Sequence, residues 1–238
     1  MKAFLYGVAL QWKLSLRNRE VLIVYYLVPL VFFLFMGGVL TSIMPGANET
    51  LIASMTVFGV TMGGVLGMPA PLVAMYSTDM KKAYQVGGVP LWTAAASSVL
   101  SGFAHLFVMS LVIFFAAPVL FDAAVPQNLP AYFIALALLI LASLCTGLVF
   151  GLVVKSAAKL SMVTQIIFLP SVLLSGIMFP ASMLPAVLRG AGKLLFASWS
   201  FEAMCSPVVD AKLLLPLAGL ILLPLAISAW RLNRIKAE

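Results

Sequence analysis

The chain has 238 residues, of which 63% are apolar and only 9% charged, with a formal net charge of +7. A soluble globule carries about a quarter charged residues and nearer half apolar ones, so this composition, with a mean hydropathy of +1.16, excludes that class and defines a polytopic membrane protein. No tail or loop of the predicted topology exceeds about 35 residues, which leaves no room for an independent catalytic domain.

Runs of at least ~18 apolar residues mark membrane spans, because ~20 residues at 1.5 Å rise cross a ~30 Å hydrocarbon layer. Six runs qualify: Val21–Thr41, Leu51–Met75, Ala94–Leu120, Pro130–Val154, Leu160–Phe179 and Leu213–Trp230. With both termini inside, the inner segments hold Lys2, Lys13, Arg17, Arg19, Lys81, Lys82, Lys155, Lys159, Arg231, Arg234 and Lys236, against Arg189, Lys193 and Lys212 outside. Basic residues in short loops stay cytoplasmic, so the positive charge reads as topology in a plasma or inner membrane and not as a nucleic-acid footprint. Cys145 and Cys205 give no basis for a disulfide. The polar-studded start, followed by so long a first span, does not read as a cleavable signal peptide.

In chain order, residues 1–20 form an interfacial helix. Phe4, Leu5, Val8, Trp12 and Leu16 share one arc and Lys2, Lys13 and Arg17 the opposite one, so the apolar face is expected in acyl chains with Trp12 near the headgroups. Met44-Pro45-Gly46 signals a turn after the first span, and Asn48-Glu49-Thr50 falls in the short outer loop. The second span carries Gly59, Gly63 and Gly67, a doubled G-x-x-x-G that admits a neighbouring helix closely. These glycines serve packing, with a transport hinge as the alternative. Pro69 and Pro71 then predict a bend near the inner end.

The segment 76–92 is a short polar interruption on the inner side. Asp79, Lys81, Lys82, Tyr84 and Gln85 would be presented together on a helical turn that another protein can grip. The third span, opened by Pro90, holds the sole histidine, His105. With every acidic residue mapping to ends or loops, a neutral hydrogen-bonded packing role is favoured over a proton relay. Gly147 and Gly151 form another small-residue step in span four. Thr164, Gln165, Ser171 and Ser175 in span five must find partners or water, so they are candidates for the pathway lining, and helix-helix hydrogen bonding accounts for them equally well.

Segment 180–212 is too polar to span. Its apolar stripe of Leu184, Val187, Leu188, Ala191, Leu194 and Leu195, with Ser182 as N-cap and Pro185 in the first turn, predicts a short helix. A break near Ser198-Trp199-Ser200 and a second piece bearing Glu202 complete an outer hairpin, a candidate lid.

No G-x-x-x-x-G-K-[S/T] phosphate loop, no metal-ligand spacing and no Ser-His-Asp arrangement occurs in the sequence. Energy for any transport is therefore expected from elsewhere. Taken together, the interfacial helix, six spans, the polar element between spans two and three, the Val89-Pro90 step, Ser175-Gly176-Ile177-Met178-Phe179-Pro180 and the following Leu184-Pro185 resemble permease subunits of ABC-2 type exporters over essentially the whole chain. Family members usually carry a Glu-Arg pair and a Gly where Asp79, Lys81, Lys82, Ala83 and Tyr84 stand, and often Asn-Pro where Trp199-Ser200-Phe201-Glu202 stands.

The resemblance implies one all-α membrane domain over 1–238 that is not itself an enzyme. It pairs with a second permease copy or paralogue and with two cytosolic ATPase subunits, which carry the ATP and magnesium. It implies that segment 76–92 is a coupling helix, with Asp79, Lys81, Lys82, Tyr84, Gln85 and Arg17 meeting the ATPase, and that an amphipathic substrate is exported. A polysaccharide substrate, or a proton-coupled carrier using His105, are the alternatives.

Overall fold

The computed structural model describes residues 2–77, 86 and 90–237, and among these there is helix and no strand. Helix α1 covers Lys2–Arg17 and stops at Asn18, whose extended backbone (φ −88°) and side chain start the next helix. The Asn18 Oδ1 accepts from the backbone N–H of Glu20 at 3.0 Å and of Val21 at 3.5 Å, satisfying donors that an unpaired helix start leaves open. Helix α2 (Arg19–Ile43) and helix α3 (Ala47–Tyr76) follow as an antiparallel pair joined by Met44-Pro45-Gly46. The turn is tighter than the sequence reading placed it. Gly46 takes φ +77°, and Asn48-Glu49-Thr50 already lies in the first turn of α3, where Glu49 meets the positive end of the helix dipole.

Both α2 and α3 contain one widened, π-type turn, at Ile23–Leu27 and Gly63–Gly67. Each closes with an i→i−5 bond, from Val28 N–H to the Ile23 carbonyl and from Met68 N–H to the Gly63 carbonyl. Each also lies two residues ahead of a proline, Pro29 and Pro69. A proline ring collides with the carbonyl four residues back and brings no N–H, so the helix opens by one residue there and then continues. This is how α3 absorbs Pro69 and Pro71.

Helices α4 (Leu91–Phe121) and α5 (Leu129–Val153) are regular. Asp122 ends α4 in the left-handed conformation at φ +49°, which its short polar side chain tolerates, and Asn128 caps α5 by accepting from Ala131 N–H at 3.0 Å. Helix α6 (Ala157–Leu174) stops before the Phe179 limit expected from hydropathy, because Ser175–Phe179 bends and Gly176 turns left-handed at φ +89°. Among the described residues, five helices are long and apolar enough to cross a membrane, and α6 is a shorter apolar one.

The hairpin differs in detail from its sequence pattern. Its first helix, α7 (Ala186–Gly192), is entered through Pro185 in extended conformation, and Ser182 lies in a separate 3₁₀ turn, Ala181–Met183, and caps nothing. Proline forces its predecessor into extended backbone, so the helix cannot begin before it. The break falls at Lys193–Leu195, and Ser198-Trp199-Ser200 sits inside the second helix, α8 (Phe196–Cys205). There the Ser200 hydroxyl donates to the Phe196 carbonyl at 2.8 Å and the Trp199 Nε1–H to the Lys193 carbonyl at 2.7 Å, so these polar groups serve the helix they were expected to end. The last helix, α9 (Ala211–Ala237), packs along α5.

Burial grades the helices. In its most apolar stretch α3 is 89% buried, against 17% for α9, so α3 is the axis of the bundle with α5 beside it. One end of the bundle gathers the Met44–Gly46 turn, the α4–α5 loop and the hairpin, tied by Ala124 N–H to the Asn48 carbonyl (3.0 Å) and Asn128 Nδ2 to the Pro207 carbonyl (3.0 Å). The opposite end gathers Asn18, Tyr76, Leu91 and Leu152, whose carbonyl accepts from Arg231 Nε at 3.4 Å.

Candidate functional site

At the Asn18 end, α1 does not stand apart from the bundle. It packs antiparallel along α4, with Ser15 Oγ 3.5 Å from Ser101 Oγ and the Trp12 indole stacked on the His105 ring at 3.9 Å between centroids and 6° between planes. Trp12 is thus held by protein at mid-helix, where the sequence reading expected headgroups. The Tyr26 hydroxyl reaches His105 Nδ1 at 2.8 Å, and Tyr25 lies tilted against the same ring at 5.9 Å. His105 is wholly buried. Its ring contacts are aromatic, and among the described residues its Nε2 has no hydrogen-bond partner. The ring therefore joins three elements, α1, the widened turn of α2 and the centre of α4.

Tyr25 locks that turn against α3. A Cβ built on Gly67 would lie 2.5 Å from Tyr25 Cε1, and one on Gly63 would lie 3.2 Å from Tyr25 Cδ1 and closer still to Leu106 Cδ2. Gly59 faces Met109 and Pro29 in the same way. The three glycines of the ladder are thus notches for side chains of α2 and α4. The backbone-to-backbone crossing lies one residue away: a Cβ on Gly147 would collide with the Gly64 carbonyl, and one on Gly64 with Ser143. Gly151 continues the α3–α5 seam against Leu72 Cβ at 2.7 Å. Without a hydrophobic drive between helices in lipid, such close approach is what fixes their pairing.

Between the ends of α3 and α4, the Tyr76 hydroxyl donates to the Leu91 carbonyl at 2.7 Å. The chain that leaves at Tyr76 thus returns beside it. Asp79, Lys81, Lys82, Tyr84 and Gln85 lie between these points, outside the described residues. Arg17 is exposed in the last turn of α1, at the negative end of that helix dipole.

On α6, Thr164, Ser171 and Ser175 are buried on the face that turns inward with Phe168, and Gln165 is half-buried. Thr164 Oγ1 donates to the Leu160 carbonyl at 2.9 Å and Ser175 Oγ to the Val172 carbonyl at 3.3 Å, whereas the Ser171 hydroxyl has no partner among the described residues. The face open to the surroundings is instead apolar, Met162, Ile166, Leu169 and Leu173, each more than half exposed.

Tyr25, Tyr26 and Gly64 are the residues that the sequence reading passed over. Tyr25-Tyr26 offered a signal, two adjacent hydroxyls at membrane depth that lipid cannot satisfy. Gly64 stood hidden between Gly63 and Gly67, because the i, i+4 pattern singled out its neighbours.

No group of three His, Cys, Asp or Glu side chains comes together among the described residues. Among the described residues the chain is a helical bundle with several helices apolar enough to cross a membrane, which defines a multi-pass membrane protein. The sequence pattern of ABC-2 type transporters matches residues 3–208, and the chain belongs to that family. It is accordingly a membrane permease component of an ABC-type transporter and not its ATPase. Comparison with curated proteins gives no match.

Proposed function

We propose that this permease is driven from the Asn18 end of the bundle by cytosolic ATPase subunits and exports an amphipathic substrate, working with a second permease copy or paralogue. The observation that carries the reading is the union of α1 with α2 and α4 through Trp12, His105 and Tyr26, together with the Tyr76–Leu91 clasp at the base of segment 76–92. A push on that segment, or on Arg17, enters helices that are already tied to one another. Closure of the ATPase pair would then reposition α2, α3 and α4 together, and the permease itself performs no covalent step.

The cationic Arg17, Arg19, Lys155, Lys159, Arg231 and Arg234 cluster near this end, which supports a cytoplasmic placement in the inner or plasma membrane. The exposed apolar faces of α6 and α9 suit lipid or a second permease. The carrier reading based on His105 finds less support, since the ring is sealed by Trp12, Tyr25 and Tyr26 and meets no carboxylate among the described residues.

The test is co-reconstitution with a cytosolic ABC ATPase that this permease stimulates. Replacing Lys81 and Lys82 by Glu together with Tyr84→Ala should leave membrane insertion intact and abolish substrate-stimulated ATP hydrolysis and transport. Normal stimulation in that variant would remove segment 76–92 from the coupling path.

A further inference from the structure

The hairpin end of the bundle holds a cavity of about 380 Å³, bounded by the Met44–Ala47 turn, α3, the Gly176–Ala181 bend and α8. Its walls are Leu40, Leu51, Ile177, Met178 and Phe201, and no charged side chain lines it. The polar groups that face it are the hydroxyls of Thr50 and Ser54, one helical turn apart on α3. Ser54 is only 2% exposed. Elsewhere in the bundle such hydroxyls bond back to their own helix, as Thr41, Ser97, Ser110, Ser143 and Thr146 do at 2.7–2.8 Å. Neither the Thr50 nor the Ser54 side chain makes such a bond among the described residues, and both residues line the cavity, Ser54 buried and Thr50 half-buried.

An apolar chamber of this size with a few convergent polar groups has the make-up of a small-molecule site, and a hydroxyl that bonds no protein acceptor is free to bond a ligand oxygen. We propose that this cavity binds one acyl chain of an amphiphile, with the first oxygen-bearing group of that amphiphile hydrogen-bonded to Thr50 and Ser54. A charged group finds no counter-charge inside, so any headgroup charge stays at the mouth. Gly176, left-handed at φ +89° with Phe201 Cε1 3.5 Å from where its Cβ would stand, turns the chain at the wall opposite α3. The site specifies the substrate class and rests on the export reading only for its cellular role. Occupancy itself requires neither ATP nor a partner subunit.

Two photoreactive probes bearing the same mid-chain diazirine distinguish the source of the chain, a monoacylglycerol standing for neutral cargo and a phosphatidylglycerol standing for bilayer lipid. With the full chain in phosphatidylcholine vesicles, adducts from at least one probe are expected on the peptides containing Leu51 and Met178. Ser54→Phe, which fills the chamber from α3, should lower those adducts about tenfold, and so should Met178→Trp from the opposite wall, while adducts at the exposed Leu222 of α9 stay unchanged. Thr50→Val with Ser54→Ala keeps the volume and should erase the advantage of the monoacylglycerol over a plain diazirine alkane. Labelling by phosphatidylglycerol identifies bilayer lipid as occupant, and labelling by the monoacylglycerol alone identifies neutral cargo. Absence of adducts at both peptides, or adducts that neither filling variant lowers, overturns the proposal.

Discussion

Replacing Gly147 by Ala tests the α3–α5 seam at its closest point. The added methyl would meet the carbonyl of Gly64, with Met68 Cβ at 3.1 Å and Gly64 C at 3.3 Å behind it, all within α3. Because backbone cannot rotate away as a side-chain tip can, the two helices must part by roughly an ångström in the most buried region of the protein. Overpacking of this kind costs about 1–3 kcal/mol. After the gain of ~1 kcal/mol in helix propensity on replacing Gly by Ala, a net loss of up to about 2 kcal/mol remains, or a melting temperature lower by up to about 8 °C for a chain of this size.

Two controls bracket it. Gly63→Ala meets mainly the Cδ2 end of Leu106, which can turn aside, and should cost less. Gly219→Ala on α9 meets nothing within 4 Å and should be neutral or stabilising. Thermal unfolding of the purified protein in detergent, followed by tryptophan fluorescence, gives the order Gly147→Ala, Gly63→Ala, Gly219→Ala from least to most stable. If Gly147→Ala melts with or above Gly219→Ala, the seam is not as close as drawn and the reasoning about α3 as the axis fails.

Docking of α1 on α4 is testable by Ser15→Cys with Ser101→Cys, in a background in which Cys145 and Cys205 are Ala. The two Oγ atoms stand 3.5 Å apart, so the thiols that replace them can meet, and oxidation should cross-link the pair within one chain, reversibly with a reductant. If α1 moves relative to α4 in the cycle, the oxidised protein stops transporting, and full activity when cross-linked would show that the two move as one body. For the aromatic cluster, a double-mutant cycle of Tyr26→Phe and His105→Phe should return a coupling of about 0.5–1.5 kcal/mol in stability, the range for interhelical hydrogen bonds in membranes, and additive losses would show that the 2.8 Å contact contributes nothing.

Much of the fold was legible because lipid imposes simple rules. Length and hydropathy locate the helices to within a few residues, whereas the closest approach of α3 to α5 runs through Gly64 and Gly147, the first of them one residue off the i, i+4 ladder. What escaped depended on tertiary contact. Trp12 on an amphipathic arc looks the same whether its ring faces headgroups or His105, and only the placement of α1 against α4 separates the two. The hairpin break moved because Ser198 and Ser200 satisfy themselves on carbonyls of nearby residues, Gly192 and Phe196, which propensity alone does not foresee. Inward burial of Thr164, Ser171 and Ser175 likewise reflects which side of α6 meets α3 and α8, information absent from a single uniform apolar run.

The paired expansions in α2 and α3 carry a consequence for phase. Each inserts one residue, or about 100° of rotation, between the halves of its helix, so a wheel drawn through Val21 and Phe33 as one regular spiral assigns the far half to the wrong side. Since Tyr25 of one expansion is seated on Gly63 and Gly67 of the other, tightening either back to ordinary pitch would unseat the pair and swing both distal halves out of step with α4. The prolines at 29 and 69 thereby set the angular alignment of everything beyond them.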